Sequence, residues 1–273
     1  MGGYVLKGPF IVETRNLQVS YPDGRLALDN ISLDIEAGES VAIIGANGAG
    51  KTTLLQALVG LVPVSGKVKV GGLEVNRANL SEIRRIAQLA FQDPDDQLFM
   101  PTVLEDVAFG PLNFGKSREE ARRLAEYWLK AVGLDNYGDR SPDRMSLGER
   151  KRAALAAVMA CEPKLLLLDE PTAGLDPRSQ TVLLDILQKL HEDGLTLITA
   201  THDLLLLPHL ADRAVVLSED HRVVADAPAE LILSDTELLL SVNLIHEHCH
   251  RHGILVHRHP HEHIIAHEHV HED

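Results

Sequence analysis

The stretch GANGAGKTT, Gly45 to Thr53, constrains this chain more than any other. It follows the apolar run VAII and opens KTTLLQALVGL, whose apolar residues recur at helical spacing. The spacing G-x-x-x-x-G-K-[ST] between a strand and a helix describes a phosphate cradle. Gly45, Gly48 and Gly50 permit backbone conformations that would strain other residues, so the loop's amides, Asn47 among them, can converge on phosphate oxygens. The helix that begins at Lys51 adds the partial positive charge of its N-terminus. Lys51 is placed to neutralise β- and γ-phosphates. The Thr52 hydroxyl is placed to hold Mg²⁺, with Thr53 beside it on the nucleotide.

LLLLDEP supplies the other half of such a site. A continuous apolar run ending in acids reads as a parallel strand buried on both faces, and such a strand points its C-terminal end at a ligand crevice. Asp169 is then placed to hold Mg²⁺ and Glu170 to orient or deprotonate an attacking water. Together the two stretches describe a P-loop nucleoside triphosphatase.

The rest of the chain supplies the sheet. FIVETRNLQVSY (10–21) and ISLDIEAGESVAIIG (31–45) read as strands with short links, an antiparallel addition at the N-terminus. SGKVKVGGLEV (65–75) reads as a hairpin piece. From position 40, strands at 87–92, 164–170, 195–203 and 213–218 alternate with helices at 51–61, 117–133, 147–160 and 178–194. That order predicts a mostly parallel sheet with helices on its faces. SREEARRLAEYWLKAVG opens with Ser117 and Glu120 at capping-box spacing and stops at Gly133. It interrupts the alternation and belongs to an expected helical subdomain, residues 93–162. The catalytic domain is expected over 10–235, with a separate tail at 246–273.

Lys and Arg number 26 against 40 Asp and Glu, a net charge of −14, and no basic run is present. This argues against nucleic acid as a partner. The longest apolar run, Ala153 to Cys161, is about half of what a bilayer requires. No signal-peptide pattern opens the chain, and two cysteines make no disulfide framework. A cytoplasmic protein with an aliphatic core is expected.

Over residues 10–230 the chain resembles the ATP-binding subunit of an ABC transporter, because six motifs stand in that family's order. The resemblance implies the following roles. Tyr21 stacks on adenine. GANGAGKTT is the Walker A loop and LLLLDEP is Walker B. Gln92 in AFQDPDDQLF touches Mg²⁺ and the membrane-subunit interface. MSLGERKR (145–152) is the signature motif, AGLD (173–176) is the D-loop with Asp176, and His202 in ATHD is the switch histidine. His202 also follows the apolar strand LTLITA, where an imidazole can reach a γ-phosphate. Ser146 and Gly148 begin a helix, so their hydroxyl and amide can meet a phosphate. In the family that phosphate belongs to ATP held by the opposite subunit, which implies a head-to-tail dimer, here a homodimer. One departure is Leu147, where the family has glycine, and a side chain there can crowd the approach to the γ-phosphate.

FQDPDDQLF and VLEDVAFGPLNFG resemble the ATPases of energy-coupling-factor importers. That group implies a membrane-embedded coupling subunit, a substrate-capture subunit and a peripheral position on the cytoplasmic face of the cell membrane. Its cargo is either a vitamin or the metals cobalt and nickel. The tail bears on the choice. Eight of its histidines fall in HEHCHRHGILVHRHPHEH and three more follow at 267, 269 and 271. In extended chain His246, His248, His250 and His252 form one row and His257, His259, His261 and His263 another. A reversal near Gly253 could bring the rows together, although Pro260 should interrupt a regular strand. With Cys249, these are candidate ligands for Co²⁺, Ni²⁺ or Zn²⁺. The ATPase of a vitamin importer, and a soluble ABC ATPase not linked to transport, are the competing expectations.

Overall fold

The computed structural model describes residues 10–245 in full, and 246–252 and 255–261 by their backbone. β1 (Phe10–Ser20) and β2 (Leu26–Glu36) pair antiparallel, as the alternation predicts. Asn16 and Asn30 take φ of 50° and 56°, and register shifts flank both positions. Such bulges bend and twist the ribbon. A tight turn then delivers β3 (Ser40–Ile44), buried throughout, to the phosphate loop and α1 (Lys51–Leu58). α1 ends earlier than the predicted 61, because Gly60 turns the chain at φ 64°. β4 (Ser65–Val70) and β5 (Leu73–Glu74) complete a four-stranded antiparallel sheet in the order β2-β1-β4-β5.

α2 (Leu80–Ile86) leads into β6 (Ala87–Ala90). The helical subdomain follows as α3 (Val103–Asn113), α4 (Arg118–Ala131) and α5 (Leu147–Met159). α4 starts with the predicted capping box. Ser117 Oγ accepts from Glu120 N at 3.2 Å, and Glu120 Oε2 accepts from Ser117 N at 3.0 Å. β7 (Leu165–Asp169), α6 (Pro177–Glu192), β8 (Thr196–Thr201), β9 (Arg213–Leu217) and β10 (Val223–Pro228) return to the main sheet. Its order is β10-β9-β3-β8-β7-β6, parallel except for β10 at the edge.

Strand alternation sorts β7 between two cores. Leu165 and Leu167 join the cluster around α1 that lies between the two sheets, while Leu166 and Leu168 join the cluster under α3, α4 and α5. A third cluster packs short helices at 207–210, 229–234 and 236–241 on Ala42 and Ile44. Register sets the site. Ile44 pairs with Thr201, and Asp169 with Ala200. The three chain segments leaving β3, β7 and β8 therefore emerge side by side.

The tail backbone forms a hairpin of β11 (His246–His252) and β12 (Leu255–His261), with His246 opposite His261, His248 opposite His259 and His250 opposite His257. β11 and β12 pair antiparallel, the direction that the expected reversal requires, while Gly253 itself lies outside the described residues. The expected interruption does not occur, since β12 runs through Pro260 opposite Glu247. The two-stranded sheet has open edges, where a missing N–H is tolerated. Among the described residues no helix is long and apolar enough to cross a membrane.

Candidate active site

Gly45 and Gly50 are needed for different reasons. Gly50 takes φ 106°, a conformation other residues avoid. Gly45 does not take positive φ, contrary to the sequence expectation. A Cβ there would stand 2.6 Å from the Leu217 carbonyl, so close packing on β9 is what requires glycine.

Lys51, only 6% exposed, leads α1. Its Nζ donates to the carbonyls of Gly45 at 2.8 Å and Ala46 at 3.3 Å and lies 3.5 Å from Glu170 Oε1. Glu170, also 6% exposed, follows β7 at φ 44°. Its Oε1 is 2.9 Å from His202 Nδ1, which follows β8. Thr52 Oγ1 donates to Asp169 Oδ1 at 2.9 Å. Burial raises the Asp169 carboxyl above its ordinary range, against the lowering effect of that hydroxyl. A hydroxyl and a carboxylate are the hard oxygen donors that suit Mg²⁺, so Thr52 and Asp169 fit the expected metal. Tyr21, Asn47, Gly48, Thr53 and Gln92 line the same cavity of about 560 Å³. Tyr21 is 44% exposed, its hydroxyl lies 3.3 Å from Thr53 Oγ1, and the Arg25 guanidinium stands over its ring, 5.6 Å from the centroid.

A second opening of about 620 Å³ adjoins Thr52, Gln92 and Asp169 and is walled by Leu147, Lys151 and Gly174. Lys151 reaches from α5 to donate to the carbonyls of Glu170 at 2.9 Å and Pro171 at 3.0 Å. Desolvation lowers its pKa to about 8, against the pull of nearby carboxylates. Gln97 accepts from Phe91 N at 3.2 Å and donates to Ala154 O at 3.0 Å, tying the loop that carries Gln92 to α5. Sequence reading missed Lys151 and Gln97; their partners are too distant along the chain to leave a local pattern.

Ser146, Gly148 and Asp176 do not line the cavity around Lys51. Ser146 caps α5 in a second capping box with Glu149, which also accepts from Tyr137 Oη at 2.6 Å. Asp176 caps α6 by accepting from Ser179 N and Oγ. Gly148 packs α5 on α6, because a Cβ would come 2.8 Å from Ser179 Oγ. Leu147 lies over its own chain's Gly174, on which a Cβ would stand 3.0 Å from Leu147 Cδ2. Among the described residues no three or more His, Cys, Asp or Glu gather into a metal cluster. The side chains of the tail candidates, His246 to His263 with Cys249, lie outside the described residues.

The ABC transporter family matches residues 28–173. The chain belongs to that family. It is 40% identical over 238 residues to the energy-coupling factor transporter ATP-binding protein EcfA of Methanocaldococcus jannaschii, covering 86% of this chain and 85% of that protein. Among solved structures, cbiO1 of Clostridium perfringens, described as part of the ABC transporter complex cbiONQ, superposes with TM-score 0.76 at 35% identity over 87% of this chain and 96% of that one. A dimeric ATP-binding cassette in a post-hydrolysis state with ADP and Pi superposes with TM-score 0.71 at 31% identity, over 80% and 98%. This ABC protein is thus an ATP hydrolase coupled to transport, of the energy-coupling-factor type, with the family's use of ATP and Mg²⁺.

Proposed function

We propose that the chain powers import of a transition-metal cation, cobalt or nickel, as a head-to-tail homodimer on the cytoplasmic face of the membrane. Its partners in this reading are a membrane-embedded coupling subunit and a substrate-capture subunit. The observation that carries the metal cargo is the tail, which holds eleven of the chain's fifteen histidines. Imidazoles at alternating positions suit divalent first-row metals. The backbone hairpin supports the reading by setting three pairs of histidines opposite one another. The exposed Phe99 and Phe109 rings, stacked edge to face at 4.9 Å just beyond the Gln92 loop, are the surface we assign to the membrane partner.

In the ATP site, Tyr21 seats the adenine. The amides of the loop from Gly45 to Gly50, with Thr53, hold the phosphates. Lys51 neutralises the γ-phosphate. Glu170 takes the proton of the attacking water, with His202 orienting its carboxylate. Thr52, Asp169 and Gln92 would hold Mg²⁺, which when bound draws charge from the phosphate oxygens. Ser146 and Gly148 of one protomer complete the site of the other, with Asp176 at the seam. Their separation from their own chain's Lys51 cavity supports that division.

Two experiments test these readings. Glu170→Gln should bind ATP, stop turnover and accumulate as a nucleotide-bound dimer on gel filtration; undiminished steady-state hydrolysis overturns the assignment of the base. Co²⁺, Ni²⁺ and Zn²⁺ are titrated calorimetrically into the full chain and into a form ending at Ile245. Saturable binding that disappears with the tail supports the metal reading. Equal weak binding by both forms removes it and favours a vitamin cargo.

A further inference from the structure

The turn from β9 to β10 carries a residue with no part in the reading above. Ser218 and Arg222 close it, with Ser218 N donating to Arg222 O at 2.9 Å. Within it His221 takes φ 62°, a region where glycine or asparagine is usual and a histidine is uncommon. Contacts with β2 and the phosphate loop hold it there. Its carbonyl accepts from Asp29 N at 2.9 Å. The neighbouring Arg222 guanidinium is paired with the Asp29 carboxylate at 2.5 Å. Its own ring places Nδ1 3.3 Å from the carbonyl of Ala49, in the phosphate loop.

That last contact fixes the tautomer. A carbonyl only accepts, so Nδ1 carries the proton, and in the neutral ring Nε2 is left as an acceptor. The ring lines the nucleotide cavity with Tyr21, Arg25, Ala27 and Thr53. Its anchorage beside Asp29 keeps it next to the strand that carries Ala27, on the wall that continues to Tyr21. Phosphate oxygens only accept, so a neutral Nε2 offers them no hydrogen bond. The donors that ATP presents beyond its base are its ribose hydroxyls. We propose that His221 accepts a hydrogen bond from a ribose hydroxyl of bound ATP and so discriminates ribonucleotides from deoxyribonucleotides. The proposal rests on the nucleotide-site reading and adds a contact that none of its motifs contains.

The test measures dissociation constants of ATP, 2′-deoxy-ATP and 3′-deoxy-ATP in EDTA, for the wild-type chain and for His221→Gly and His221→Asn. Both replacements tolerate positive φ, so the turn should survive. The wild-type chain should bind ATP about threefold to tenfold more tightly than at least one deoxy analogue, the worth of one neutral hydrogen bond. In His221→Gly that preference should vanish, with ATP weakened to the level of the analogue. Equal wild-type affinity for all three nucleotides overturns the proposal, as does a preference that persists in His221→Gly. Loss of all three affinities in Lys51→Ala, with the wild-type chain binding, keeps the site reading separate from this result.

Discussion

Replacing Lys151 by methionine isolates how the signature helix controls the residue assigned as the base. Lys151 is 7% exposed, and methionine fills nearly the same volume, so little cavity should form. The Glu170 carbonyl keeps a bond from Ala173 N at 3.1 Å. The Pro171 carbonyl loses the Lys151 donor, and a charge-assisted bond of that kind contributes about 1.5–3 kcal/mol. Against this, methionine removes an ammonium whose burial is costly enough to lower its pKa to about 8. A net loss of about 1–2 kcal/mol should lower Tm by about 2–8 °C. The catalytic effect should be larger. Glu170 is held at φ 44°, a conformation costing about 1–3 kcal/mol, and Lys151 is one of the groups that hold its main chain there. Steady-state ATPase assays should show kcat down at least about tenfold with KM changed less than about twofold, since displacement rather than lost binding is the cause. Urea unfolding against pH gives a second readout. Below about pH 8 the ammonium is charged in both states. Between about 8 and 10.5 the folded chain has released a proton that the unfolded chain still binds, so wild-type stability should rise relative to the variant. Wild-type kcat in Lys151→Met, or a stability difference that falls across that window, refutes the reasoning.

Asp106 Oδ1 accepts from Phe99 N and Met100 N, both at 2.9 Å, while its buried Oδ2 has no partner, and burial raises its carboxyl above the usual range. Asp106→Asn keeps the acceptor without the charge and should unfold in urea at or above the wild-type midpoint, whereas Asp106→Ala should lose about 1–3 kcal/mol; an alanine variant as stable as wild type contradicts the clamp. Leu147→Gly removes the contact over Gly174 and should cost about 1–2 kcal/mol of stability. Because Leu147 turns onto its own chain, turnover should stay within about threefold of wild type; a hundredfold loss in the ATPase assay would mean that the side chain serves the site directly.

The site was legible where the chemistry sits at the ends of continuous apolar strands. VAII, LLLLD and LTLITAT are each buried throughout, and a two-face-buried strand has a recognisable sequence and a known exit. Gly45, Asp169, Glu170 and His202 could therefore be placed together from the sequence. Lys151 could not, because ERKR reads as a solvated helix face and nothing local says that one cation turns inward. His221 pairs with a residue 172 positions away, beyond any periodicity. In the fold, α3 was missed because Gly110 and Pro111 break the helical pattern near its end. The helices at 229–234 and 236–241 are too short to show a period.

The contacts around Glu170 also rank the events in the proposed cycle. At 3.5 Å from Oε1, Lys51 is beyond the range of a charge-assisted hydrogen bond, whereas His202 at 2.9 Å is within it. Lys51 is held chiefly by the two carbonyls of its own loop. In the reading we propose, an arriving γ-phosphate takes the lysine from the looser of the two contacts to Glu170. Nucleotide binding and orientation of the base are to that extent separate steps. The side chain of Glu170 is aligned by the residue after β8, and its main chain is pinned by Lys151 from the helix that Ser146 caps. A shift of that helix, such as contact with a partner's nucleotide would produce, reaches the base through its backbone and not through its carboxylate. This is why turnover, and not ATP affinity, is the quantity that should respond to the signature helix.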